Sequence, residues 1–238
     1  MRVSSIAGSA VLLVSLMAGT AYAADLVTEL PIASTYNWTG GYVGAQAGYA
    51  WGDSVGGAYF KATGAVDANG NVDPRGFLGG LHTGYNYQFN NNAVLGVEGD
   101  INFASIRGSV NPLHFASGGN ALGNSASAEM TWNGSVRLRA GYAIDRFLPY
   151  VTGGVAFGRY GFDPSYGGTG PLSGSKTQTG WTIGAGLEYA LTDHLTTRIE
   201  YRYTDFGSAT YAIPGFSSEE TRVNLKTNDV RIGLTYKF

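Results

Sequence analysis

The chain contains no cysteine, so neither a disulfide framework nor a thiolate metal site can hold it together. It has three histidines, far apart in sequence, and no His-Glu-x-x-His or phosphate-loop pattern, so no metal, no cofactor and no enzymatic activity is expected. It lacks a basic excess: 15 Lys and Arg stand against 17 Asp and Glu, which excludes the electrostatic footprint of a nucleic-acid binder. Past position 23 there is no apolar run of about 18 residues, so a membrane helix is not expected.

The first residues do carry a message. Met1-Arg2, a small and apolar stretch from Ile6 to Ala18, and Ala21-Tyr22-Ala23 before Ala24-Asp25 predict a signal peptide over residues 1–23, cleaved after Ala23. Cleavage would remove one base and no acid, so the mature formal charge changes from −2 to −3. Glycine is abundant at 37 residues without a three-residue period, which excludes collagen, and 13% aromatics argue against disorder.

At a period of two, the chain breaks into segments of about ten residues, one parity apolar and the other polar or glycine. Val43, Ala45, Ala47, Tyr49 and Trp51 oppose Gly44, Gln46 and Gly48, and Leu81, Tyr85, Tyr87 and Phe89 oppose His82, Asn86 and Gln88. Leu95, Val97, Ile101 and Phe103 oppose Glu98, Asp100 and Asn102; Met130, Trp132, Val136, Leu138 and Tyr142 oppose Asn133, Ser135, Arg137 and Arg139. A fifth segment, Pro149 to Gly158, has no clear parity of its own. The last three set Trp181 to Leu191 against Thr182 and Glu188, Leu195 to Tyr203 against Arg198, Glu200 and Arg202, and Val230 to Phe238 against Asp229, Arg231 and Lys237.

Eight such segments predict an all-β protein, an eight-stranded antiparallel transmembrane β-barrel of the outer-membrane type. Short turns at Asn90-Asn91-Asn92, Asp145-Arg146 and Asp193-His194 would be periplasmic, and four long Gly/Ser/Asn-rich loops near 52–76, 105–128, 160–178 and 206–226 extracellular. Residues 24–40 form a periplasmic lead-in without barrel pattern, and 41–238 the barrel domain.

Register offers a test, since a slip of one residue would put every charge into lipid. Folding about the tight turns places His82 opposite Asp100 and Glu188 opposite Arg198. It also pairs Val136 and Ala140 with Val155 and Val151 on the lipid side, which settles the fifth strand. Folding the long loops about their centres sets Glu98 opposite Arg139, Asp100 opposite Arg137, Arg202 opposite Asp229 and Glu200 opposite Arg231. The inner face then carries Glu98, Asp100, Glu188, Glu200 and Asp229 against Arg137, Arg139, Arg198, Arg202, Arg231 and Lys237, with His82 satisfied by Asp100. Buried charges persist when paired, and an eight-stranded barrel is just wide enough for its own side chains, so these charges are expected to fill the interior.

Two loop features bear on binding. Asp67-Ala68-Asn69-Gly70-Asn71-Val72-Asp73 begins like a calcium loop, but Leu78 stands where the closing glutamate belongs, and a loop turn is the better reading. His114, flanked by Leu113 and Phe115 in the second long loop, is the other.

Asn37-Trp38-Thr39-Gly40-Gly41-Tyr42-Val43-Gly44, Leu148-Pro149-Tyr150-Val151-Thr152-Gly153-Gly154-Val155-Ala156 and the ending Val230-Arg231-Ile232-Gly233-Leu234-Thr235-Tyr236-Lys237-Phe238 together resemble the small outer-membrane barrel proteins of alphaproteobacteria. That family includes major surface antigens and some haemin-binding proteins. The resemblance implies a structural surface protein presenting loops to a host or environmental ligand, with a small-solute porin or a haemin-uptake protein, for which His114 would be the one attractive axial ligand, as the alternative and an outer-membrane enzyme a more distant one. Its partners would be outer-membrane lipid and the insertion machinery, for which Tyr236 and Phe238 resemble the C-terminal signal.

Overall fold

The computed structural model describes residues 36–60, 66–110, 113–115, 119–121, 125–165, 174–212 and 219–238; within these, the side chains of 53–72, 110–126, 128, 162–174 and 209–224 are not described. The signal peptide and cleavage site expected at residues 1–23 lie outside the described residues, as does the lead-in up to residue 35.

Eleven strands follow one another: β1 (Gly40–Phe60), β2 (Val66–Val72), β3 (Arg75–Gln88), β4 (Ala93–Val110), β5 (Leu113–Phe115), β6 (Gly119–Ala121), β7 (Ser125–Tyr142), β8 (Phe147–Ser165), β9 (Gly174–Ala190), β10 (Leu195–Ala212) and β11 (Glu219–Lys237). Eight of them, β1, β3, β4, β7, β8, β9, β10 and β11, pair antiparallel in that order, and β11 pairs with β1 to close the barrel. Closure removes both edges, so every barrel strand has a partner on each side, as a hydrocarbon environment demands.

The three short turns follow from local chemistry. Asn92 (φ 65°) and Asp145 (φ 52°) adopt the left-handed region, which Asn and Asp tolerate better than other side chains. At the third turn the Thr192 hydroxyl accepts the Leu195 N–H at 3.0 Å.

Outside, the apolar parity forms a continuous belt that includes Leu81, Val97, Ile101, Val136, Leu138, Val151, Ile183, Ile199 and Ile232, all exposed. Aromatic residues flank it, with Tyr49, Trp51, Phe77, Phe103 and Trp181 at one end and Tyr85, Tyr87, Phe89, Tyr142, Phe147, Tyr236 and Phe238 at the other. Phe77 and Tyr87 stand ten residues apart on β3, about 25 Å along the membrane normal at ~3.4 Å per residue and a tilt of ~40°. That matches the apolar height of an outer-membrane barrel.

The four long connections differ from the expectation of plain loops. β1 runs on to Phe60, paired with β11 as far as Phe60↔Glu219, and β2 returns along it. Of the stretch from Asp67 to Asp73, expected to be a loop turn, residues 67–72 are therefore in a strand, and β5 and β6 add to its edge. The ladders outlast the sequence signal because both faces meet water above the membrane, so nothing imposes alternation there.

Candidate functional site

Within the described residues, chemistry concentrates in the barrel interior, which has three levels. The middle level is charged. Glu98 sits at its centre on β4: one carboxylate oxygen accepts from Tyr42 at 2.9 Å and from Arg198 at 2.5 Å, and the other from Arg137. Arg139 stands 3.7 Å from the same carboxylate and lies 3.8 Å over the ring of Tyr150. Glu200, on β10, accepts from Arg137 at 2.7 Å, Arg202 at 2.8 Å and Tyr150 at 3.0 Å.

Asp100 receives Arg202 at 3.1 Å, Arg231 at 3.3 Å, and the side chains of Ser135 and Asn102. Glu188 binds Arg139 and Thr196, and Asp229 binds Arg231. Among the described residues, five carboxylates and five guanidiniums thus form one connected, charge-balanced cluster with almost no exposure. Each carboxylate touches at least one guanidinium, the condition under which buried charge is tolerated.

Alternation explains why these side chains converge, for each lies on the inward parity of its strand. The observed ladders pair His82 with Asp100, Glu188 with Arg198, Val136 with Val155, Arg202 with Asp229 and Glu200 with Arg231. Across β4 and β7 the expected register is off by two: Glu98 faces Arg137 and Asp100 faces Ser135. The register shifts between Phe103 and Ile106, and folding a loop about its centre cannot anticipate such an irregularity.

His82 also departs from its expected pairing. Its Nε2 meets Thr235 at 2.9 Å and Nδ1 has no hydrogen-bond partner, while Asp100 is taken up by arginines. Lys237 does not join the cluster; it donates to the Asn37 carbonyl at the periplasmic mouth. Ladder neighbours are thus a guide to proximity and a poor guide to ion pairing, because Arg spans more than one strand spacing.

The other two levels are apolar and were not anticipated. Toward the outside, Leu78, Ile106, Met130, Tyr160, Phe206 and Leu225 are all buried, with the Tyr160 and Phe206 rings 5.1 Å apart. Met130 was expected to face lipid, but a bulge between Met130 and Trp132 turns it inward. The other five continue the inward parity of their strands beyond the charged rows, a signal readable in the sequence. At the periplasmic end, Tyr36 and Trp38 pack with Val94, Ala143, Leu148 and Ala190. Burial, aided by the Glu188 and Asp193 carboxylates, pushes the Tyr36 hydroxyl up to about 12, so it stays neutral there.

Other candidates stand apart from this interior. His114 lies on β5, next to Asn69 of β2 in the ladder, and its side chain is not among those described. Tyr236 and Phe238 point outward, their rings 5.4 Å apart. Gly52-Asp53-Ser54-Val55-Gly56 does have the Gly-x-Ser-x-Gly spacing of a nucleophile elbow, against the expectation that the chain carries no enzyme motif. Here it runs through the continuous strand β1, with Ser54 paired to Leu225 and Val72, and not through the sharp strand-to-helix turn that an elbow requires.

Comparison with known proteins agrees with this architecture. Residues 9–238 match the family model of the outer membrane protein beta-barrel domain. The chain is 38% identical to the 31 kDa outer-membrane immunogenic protein of Brucella melitensis biotype 1, over 94% of this chain and 96% of that one. It is 32% identical to the 22 kDa outer membrane protein of Rhizobium leguminosarum bv. viciae, over 88% and 82%. Among solved structures it is similar to OprG from Pseudomonas aeruginosa, with a TM-score of 0.55 at 17% identity over 86% of this chain and 98% of that one, a likeness of fold alone. A lipid-facing belt around a closed barrel, a match across nearly the whole chain and relatives from two alphaproteobacterial genera together place this protein in the outer-membrane β-barrel family, among the outer-membrane proteins of that bacterial class.

Proposed function

We propose that this protein is a non-conducting surface barrel, which helps populate the outer membrane and presents its extracellular strands and loops outward. The observation that carries this reading is the balanced interior cluster. Five carboxylates each in contact with a guanidinium occupy a lumen that, at eight strands, has little room beyond its own side chains. A path for solutes would require separating those pairs, each of which is costly to break singly.

Function would then reside in the extracellular connections, where binding residues concentrate on a rigid scaffold. That the Brucella relative is called immunogenic accords with such presentation. Tyr236 and Phe238, exposed at the end of the closing strand, are proposed as the segment read by the insertion machinery.

Planar-bilayer recording from refolded protein tests the central point. The expected trace shows no stable unitary steps. Well-resolved openings of constant amplitude would overturn the plug and favour a small-solute path lined by the same charges.

A further inference from the structure

Residues 36–39 precede the barrel, yet they lie across its periplasmic mouth. Tyr36 and Trp38 are 4% and 2% exposed, values typical of a core and not of a leader strand. Three separate parts of the barrel hold them by hydrogen bonds. The Trp38 N–H donates to the Gln88 side chain of β3 at 2.8 Å, and the Gln88 N–H donates to the Thr39 hydroxyl at 2.9 Å. The Trp38 indole N–H donates to the Asp145 carbonyl at 3.2 Å, in the turn between β7 and β8. Lys237, at the end of β11, donates to the Asn37 carbonyl and sits 4.6 Å from the centre of the Tyr36 ring. Beneath the two aromatic rings lie Val94, Ala143, Leu148 and Ala190, contributed by β4, β8, β9 and the turn after β7.

We propose that this segment is a strap that closes the barrel from the periplasm and keeps water from the charged cluster, independently of the ion pairs themselves. The apolar level formed by Leu78, Ile106, Met130, Tyr160, Phe206 and Leu225 is its counterpart on the outer side. Between the two, the ion pairs are shielded from solvent, which strengthens each of them. The strap also ties the first strand to the last at the place where the barrel closes. Lys237 reaches Asn37, and the Phe238 N–H bonds the Gly41 carbonyl at 3.0 Å. This inference deepens the reading of a closed barrel and rests on it.

The absence of cysteine makes a direct test available. Asn86 points inward on β3, two residues from Gln88, and is 3% exposed. It lies between the strap and the charged level, since β3 meets Glu98 at Gly84. An Asn86→Cys protein, refolded in detergent, is treated with a small charged thiol reagent, alone and combined with Trp38→Ala or with Gln88→Ala. Resistance to unfolding without boiling, read on a gel, verifies that each variant is a folded barrel.

Labelling at position 86 is expected to be slow with the strap intact. It should quicken by at least an order of magnitude with Trp38→Ala, because opening is local and leaves the barrel folded, and less with Gln88→Ala. Equal rates with and without the strap substitutions, whether fast or slow, would overturn the proposal. A leaky charged level reads differently, as fast labelling in every protein together with unitary currents in the bilayer.

Discussion

Replacing Glu98 with alanine is expected to destabilise the barrel by about 3–5 kcal/mol, the usual cost of removing one partner from a buried ionic cluster. Glu98 accepts from Tyr42, Arg137 and Arg198 and lies within reach of Arg139; its loss leaves Arg198 buried without its carboxylate, while Arg137 keeps Glu200 and Arg139 keeps Glu188. The loss should be read as a lower midpoint of urea unfolding, with unchanged slope, for protein refolded in lipid or detergent. Adding Arg198→Met restores charge balance and should recover much of the loss, since an apolar replacement of a whole buried pair is often neutral. Were Glu98→Ala to leave the midpoint unchanged, the carboxylate would have to be hydrated, and the lumen wet.

The second large effect comes from the other face. Leu138 stands between Arg137 and Arg139 on β7, 69% exposed and pointing into lipid. Leu138→Arg is expected to cost about 2–4 kcal/mol, the penalty for a cation near the bilayer midplane. The contrast with its neighbours isolates the physics: the same residue type is native one position away on either side, where five carboxylates await it. Equilibrium unfolding in lipid vesicles measures the difference, and a penalty below about 1 kcal/mol would mean that position 138 lies at an interface and not in the membrane.

Much of this architecture was legible in the residues. The parity of Leu81 to Phe89, Leu95 to Phe103 and Val230 to Phe238 identifies both faces, because a bilayer outside and a packed lumen inside impose a strict period of two. Tight turns carry their own register, and so the pairings of His82 with Asp100 and of Glu188 with Arg198 could be counted directly. The long connections could not. A register irregularity near Phe103 and a bulge beside Met130 move β7 relative to its neighbours, and above the membrane the strands continue without any alternation to announce them.

The ion-pair network itself was only half readable. Sequence indicates which charges face inward, while the reach of an arginine side chain decides which carboxylate it meets. Arg202 thus faces Asp229 in the ladder but bonds Asp100 and Glu200. The strap was hidden for a different reason. Tyr36 and Trp38 sit before the first periodic segment, where two aromatics in an aperiodic stretch carry no sign of what they cover.

Closure into a membrane barrel is tested by refolding residues 24–238 in detergent and comparing their migration on a gel with and without boiling. A heat-dependent shift accompanied by a β-rich circular dichroism spectrum is expected, because a closed barrel resists unfolding until heated. A chain that shows no shift and stays monomeric in buffer without detergent would contradict it, since the belt of exposed apolar side chains would then have to be covered by something other than lipid.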